Sequence, residues 1–138
     1  MHDLCPNSAD SFMVEPPFYC DYGDLIYAGE KVFINYGGVI LDAGGVTIGT
    51  GTLIGPSVHI YTAQHPLDAV ERDTWQDCKA VSIGEKCWIG GQATLYPRVT
   101  VGSRCVIRAG SVVTKDIPDD SLAVGNPARH QKFNQNNE

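Results

Sequence analysis

The chain has 138 residues, 16 acidic against 10 basic side chains and a net charge of −6. It is one domain in size, and its charge argues against nucleic acid or an anionic membrane as a partner. No run reaches the eighteen or so apolar residues of a membrane span, and the start lacks a basic-then-apolar signal pattern, so the expected location is the cytoplasm.

In chain order, residues 1–11 are polar and without periodicity, and are expected to be a disordered arm. Residues 12–27 contain Pro16 and Pro17, which forbid a helix and predict an extended lead-in. From Ala28 a six-residue unit repeats, with an aliphatic or alanine lead residue: Ala28, Ile34, Ile40, then, after a two-residue stutter, Ile48 and Ile54. Residues 62–80 lose the period and form a charged excursion. The repeat then resumes without a slip at Ile83, Ile89, Leu95, Val101, Ile107 and Val113. The fifth slot is small or β-branched almost throughout, as at Val32, Thr52, Cys87, Ala93, Val99, Cys105 and Ser111. Two inward positions in a period of six fit neither an α-helix nor an alternating hairpin sheet. They predict an all-β parallel β-helix, each hexad one flat strand and three hexads one coil. Four to five coils spaced about 4.8 Å apart give a short prism whose flat apolar sides favour oligomerisation. The period ends at the turn residues 117–120, the β-helix domain is placed at 12–132 and residues 133–138 form a polar tail.

The five cysteines are odd in number and show no C-x-x-C spacing, so neither a zinc knuckle nor a redox pair is indicated, and no metal is expected. Cys87 and Cys105 take the small fifth slot and are expected as buried thiols. His65 opens the excursion before a proline. An imidazole there can take a proton from a hydroxyl nucleophile, and on the residues alone this competes with a plain surface histidine. His59 falls in an outward slot and reads as surface. Lys115, Arg129, His130 and Lys132 gather at the far end of an acidic chain, where they form either a phosphate-binding cluster or a solvated face. Asn35 and Asp42 lie on adjoining faces of early hexads, positioned for a sugar hydroxyl or, for Asp42, for a turn.

Segments 15–23 (EPPFYCDYG), 59–68 (HIYTAQHPLD), 88–91 (WIGG), 109–118 (AGSVVTKDIP) and 125–129 (GNPAR) together resemble the hexapeptide-repeat acyltransferases, in their maltose and galactoside O-acetyltransferase branch. The resemblance implies a left-handed parallel β-helix that assembles as a homotrimer with sites between neighbouring chains. It also implies acetyl-CoA as donor to a small hydroxylated acceptor such as a sugar. His65 then matches the general base, Asn35 and Asp42 match acceptor-contacting positions, and Trp88, Gly91, Ala109, Thr114, Lys115, Arg129 and Lys132 match the track along which CoA lies. The chain departs from the pattern in several places. It has at most 11 residues where the family carries a helical N-terminal segment. Asn35-Tyr36-Gly37 stands for Asn-Phe-Asn, Arg98 takes a turn-glycine position, and Arg108 replaces a small residue beside the CoA track. Two readings stay open: an O-acetyltransferase, or a trimeric CoA-binding scaffold of the same fold. A zinc hydratase would need three ligand histidines, and the solenoid offers only His59 and His65.

Overall fold

A strand of two or three residues cannot hold itself together, so each hexad depends on the hexads above and below it. A computed structural model describes residues 3–132, and within them the strands stack into three flat parallel faces. The face that contains Ile83 is built from Ile26–Ala28, Val46–Ile48, Val81–Ile83 and Thr100–Val101, with Ile117 bridged to Val101. The Trp88 face holds Met13–Val14, Phe33–Ile34, Leu53–Ile54, Trp88–Ile89, Val106–Ile107 and Ser121–Gly125. It ends in the antiparallel strand Ala128–Lys132. The His59 face holds Phe18–Cys20, Gly38–Leu41, His59–Tyr61, Thr94–Leu95 and Val112–Val113. The chain visits the three faces in that order, once per coil, which makes a parallel β-solenoid.

The lead residues form three inward ladders in strict register. On the Trp88 face Ile34, Ile54, Ile89 and Ile107 pair in succession, and on the Ile83 face Ala28, Ile48, Ile83 and Val101 do the same. On the His59 face Ile40, Ile60, Leu95 and Val113 complete the core. Each fully buried isoleucine contributes about 1.5–3 kcal/mol of burial. Truncating the central Ile89 to alanine would cost about 2–5 kcal/mol through the cavity left behind. Cys87 and Cys105 are buried as expected, and their thiols donate to the carbonyls of Gly102 and Pro118, each at 3.0 Å.

The fourth slot turns the corner. Lys31, Ser57, Lys86, Gln92, Arg98 and Arg104 all have positive φ there, interspersed with Gly37, Gly51 and Gly110. The second slot holds a glycine for a different reason: a Cβ on Gly55 would lie 2.7 Å from the amide nitrogen of Gly91 in the next coil.

Two expectations need correction. Over residues 3–11 the arm expected to be disordered is packed on the first coil. Cys5 is buried, and Ser8 Oγ donates to the Ile26 carbonyl and accepts from the Ala28 amide, both at 2.9 Å. Ala9 adds a 2.9 Å bond to the Ala28 carbonyl. The arm thus satisfies the main-chain groups that the edge strand Ile26–Ala28 would otherwise leave open, and it covers the first coil. Residues 1–2 and the tail at 133–138 lie outside the described residues. The second correction concerns Asp42, which is fully buried. Its two carboxylate oxygens accept from the amides of Asp21, Tyr22, Gly23 and Leu25 at 2.7–3.3 Å. A carboxylate has about four lone-pair sites, so none is left for an acceptor molecule. Asp42 ties the turn at 21–25 to the coil above it.

Candidate active site

The excursion leaves the solenoid at the corner between the His59 and Ile83 faces, above the stutter at Asp42–Gly45. Its stem is the antiparallel pair Ala63–Gln64 and Asp77–Cys78. Thr62, fully buried, clamps the base: its hydroxyl donates to the Leu41 carbonyl at 2.6 Å and accepts from the Gly44 amide at 2.8 Å. Its own carbonyl takes the Lys79 amide at 2.8 Å, so both legs of the excursion are pinned to one residue.

His65 follows directly on this stem and is exposed. It lines a cavity of about 450 Å³ with Tyr61, Ala63, Gln64, Leu67, Tyr96 and Pro97. Pro97 also lines the next cavity along the same corner, about 270 Å³, with Arg98, Val99, Thr114, Lys115 and Asp116. Thr114, Lys115 and Asp116 in turn belong to a third cavity of about 400 Å³, closed by Pro127, Ala128, Arg129 and His130. Shared residues thus join the three into one groove. An imidazole stands at one end and Lys115, Arg129 and His130 at the other. The first cavity is largely apolar and the last is cationic, an arrangement suited to a long ligand with a reactive group at one end and an anionic group at the other.

The expected site residues divide between two corners. His65, Thr114, Lys115 and Arg129 share this groove. Trp88, Gly91 and Ala109 line a separate cavity of about 190 Å³ with Arg108, at the corner between the Trp88 and His59 faces. Asn35 lies lower on that second corner, where its Oδ1 accepts the Tyr36 amide at 2.8 Å. Lys132 is exposed at the end of the last strand, opposite Ser121, and lines neither groove nor second cavity. Within a single chain Asn35 and His65 are therefore not brought together. Tyr61, Gln64 and Tyr96 were not singled out as site residues. The signal for Tyr96 was present, since it follows the lead residue Leu95 and so must face outward at a corner.

His59 also differs from its reading as plain surface. It is half-buried between Val39 and Thr94 on its face, and its Nδ1 lies 2.7 Å from the Tyr61 hydroxyl. The two rings meet edge to face with centroids 5.8 Å apart.

A profile of the bacterial transferase hexapeptide (six repeats) matches residues 80–115. The fold matches a crystal structure of a hexapeptide-repeat-containing acetyltransferase from Vibrio cholerae complexed with acetyl coenzyme A, with a TM-score of 0.91. Identity to it is 41%, over 96% of this chain and 73% of that chain. The chain belongs to the hexapeptide-repeat acetyltransferase family. Other similar members are a maltose O-acetyltransferase from Clostridium difficile, 45% identical over 90% of this chain and 67% of that one, with a TM-score of 0.87, and nodulation protein L of Rhizobium leguminosarum. The latter is 56% identical over 85% of this chain and 62% of its own length. The chain spans between 56% and 66% of the length of the first curated relatives it matches.

Proposed function

We propose that this chain transfers an acetyl group from acetyl-CoA to a hydroxyl of a small acceptor, with a sugar as the acceptor class and His65 as general base. The observation that carries the reading is the continuous groove from His65 through Pro97 to Lys115 and Arg129. It is supported by likeness to family members solved with acetyl-CoA and with coenzyme A. The thioester lies at the His65 end and the CoA phosphates near Lys115 and Arg129. Neutral His65 accepts the proton of the acceptor hydroxyl as its oxygen attacks the thioester carbonyl. The C–S bond then breaks, and the CoA sulfur leaves with the proton returned from the imidazolium.

The working unit we infer is a homotrimer. The outer side of the Trp88 face carries an unbroken apolar column, Met13, Phe33, Leu53, Trp88, Val106 and Leu122 in register. Such a column on one flat side favours association with another copy. The second corner, with Asn35 below and Gly91 and Ala109 above, is then the half-site that a neighbour adds to the His65 groove.

The test is thiol release from acetyl-CoA against a panel of pyranosides, with calorimetry of CoA binding in parallel. General base catalysis contributes about 10²–10⁴-fold, so His65→Ala lowers turnover by that factor and leaves CoA affinity unchanged. Wild-type turnover in that variant removes His65 from the chemistry. CoA binding without turnover of any acceptor by the wild-type chain favours the scaffold reading, for which Arg108 beside Gly91 and Ala109 is the motivating feature.

A further inference from the structure

We propose that the Tyr61 hydroxyl, held in place by His59, is a specificity-determining contact for a second hydroxyl of the acceptor, so that the site selects a molecule with two neighbouring hydroxyls. This rests on the acetyl-transfer reading above.

Tyr61 and His59 are two residues apart on one strand, so their side chains leave the same face of the sheet. The 2.7 Å bond to Nδ1 and the edge-to-face ring contact fix the phenol in one position. Tyr61 is also one of the residues lining the cavity that holds His65. Both rings are half-buried, so the bond is not a fully solvated surface pair.

The hydrogen-bond inventory then decides what Tyr61 can do. A phenol has one proton and two lone pairs. If His59 presents a bare Nδ1, Tyr61 donates to it and keeps both lone pairs. If His59 carries its proton on Nδ1, Tyr61 accepts there and keeps one lone pair and its own proton. In either tautomer at least one lone pair remains to accept from a donor in the cavity. The thioester of the acetyl donor has no proton to give. The attacking hydroxyl gives its proton to His65. Among the groups that enter with the acceptor, the donor that fits this lone pair is a second hydroxyl, close enough to the first to lie in the same cavity. Ala63, Leu67 and Pro97 supply the apolar part of the wall, so the polar contacts that orient an acceptor there come from few side chains.

The test uses the full chain, acetyl-CoA, the pyranoside that the wild-type chain turns over best and the monodeoxy analogues of that pyranoside. In the wild type, one deoxy analogue beside the acetylated position is expected to lose about tenfold in kcat/KM, as does Tyr61→Phe on the parent sugar. The two losses are not additive: Tyr61→Phe should lose nothing further on that analogue, because the partner hydroxyl is already missing. His59→Ala should reproduce the Tyr61→Phe pattern, and His59→Gln, which keeps a side-chain amide, should recover part of the loss. An equal loss from Tyr61→Phe on the parent and on every deoxy analogue means the phenol only supports the wall, and overturns the proposal. So does a panel in which simple monohydric alcohols are used as well as the pyranoside. If no pyranoside is turned over at all, acetyl transfer to sugars fails and the diol contact with it. Turnover that is abolished in His65→Ala but indifferent to Tyr61→Phe overturns only the diol contact.

Discussion

The carboxylate of Asp42 accepts the amide proton of Gly23 at 2.7 Å, at a turn where Gly23 has φ 84° and an added Cβ would collide with the Leu4 carbonyl. Three layers meet at this point: the arm, the turn at 21–25 and the coil above. Asp42→Asn puts an amide group where only acceptors fit and leaves donors facing donors. The expected cost is about 3 kcal/mol, from the loss of charge-assisted bonds to buried amides. Urea unfolding measures it, and an unchanged midpoint rules out a structural role for this carboxylate.

Cys5 tests the packing of the arm. Its burial, reinforced by Cys20 once that thiol ionises and by the Asp42 carboxylate, pushes its thiol from the ordinary 9.0 up to about 11. The unfolded chain therefore ionises this thiol at a lower pH than the folded one. The stability it contributes is fully present below pH 9.0 and is lost as the pH rises towards about 11. At pH 8 a thiol reagent should label the half-buried Cys78 of the native protein and spare Cys5. Rapid labelling of Cys5 would mean that the arm is open in solution.

Gln92 turns its corner at φ 63°, whereas Gly51 occupies the same slot four coil-thirds earlier on another corner with no such restriction. The left-handed conformation costs an L-residue about 1–2 kcal/mol, part of which a glycine gives back as unfolded-state entropy. Gln92→Gly should raise stability by about 0.5–1 kcal/mol in a urea titration. A lower midpoint would show that the Gln92 side chain contributes more than its backbone loses.

Arg129 lies at the cationic end of the groove with Lys115. Charge-assisted phosphate contacts are worth about 1.5–3 kcal/mol each, so Arg129→Ala should weaken CoA binding by about ten- to a hundredfold. Calorimetry that finds the affinity intact removes Arg129 from the donor site.

The solenoid was legible because its physics is local and repeated. Each lead residue from Ala28 to Val113 declares its own inward position, and the loss of period at 62–80 marks the excursion. Ile60 fits the same period after Ile54, directly before the excursion. The arm was not legible, since Ser8 earns its place through bonds to Ile26 and Ala28, 18 and 20 residues away, and no pattern within residues 3–11 announces them. Asp42 was ambiguous for a similar reason: an aspartate beside a glycine turn reads the same whether its oxygens meet sugar hydroxyls or main-chain amides. His59 takes an outward slot, but outward on a half-covered face means reach of Tyr61 rather than open water. His65, Thr114, Lys115 and Arg129 were expected in one site and share one groove. Asn35 and Trp88 fall on another corner because a single chain builds each corner separately.

The stacking of Ile60, Leu95 and Val113 has one more consequence. Two strand spacings separate the coil of Tyr61 from that of Thr114, a rise of about 10 Å. Neither end of the groove can approach the other without breaking a ladder of buried residues, so the prism acts as a ruler for whatever lies along it. Inserting one whole coil between residues 83 and 101 would keep the corner pattern and the inward ladders while resetting that ruler by about 4.8 Å. In such a protein the length of donor that fits is set by the number of coils.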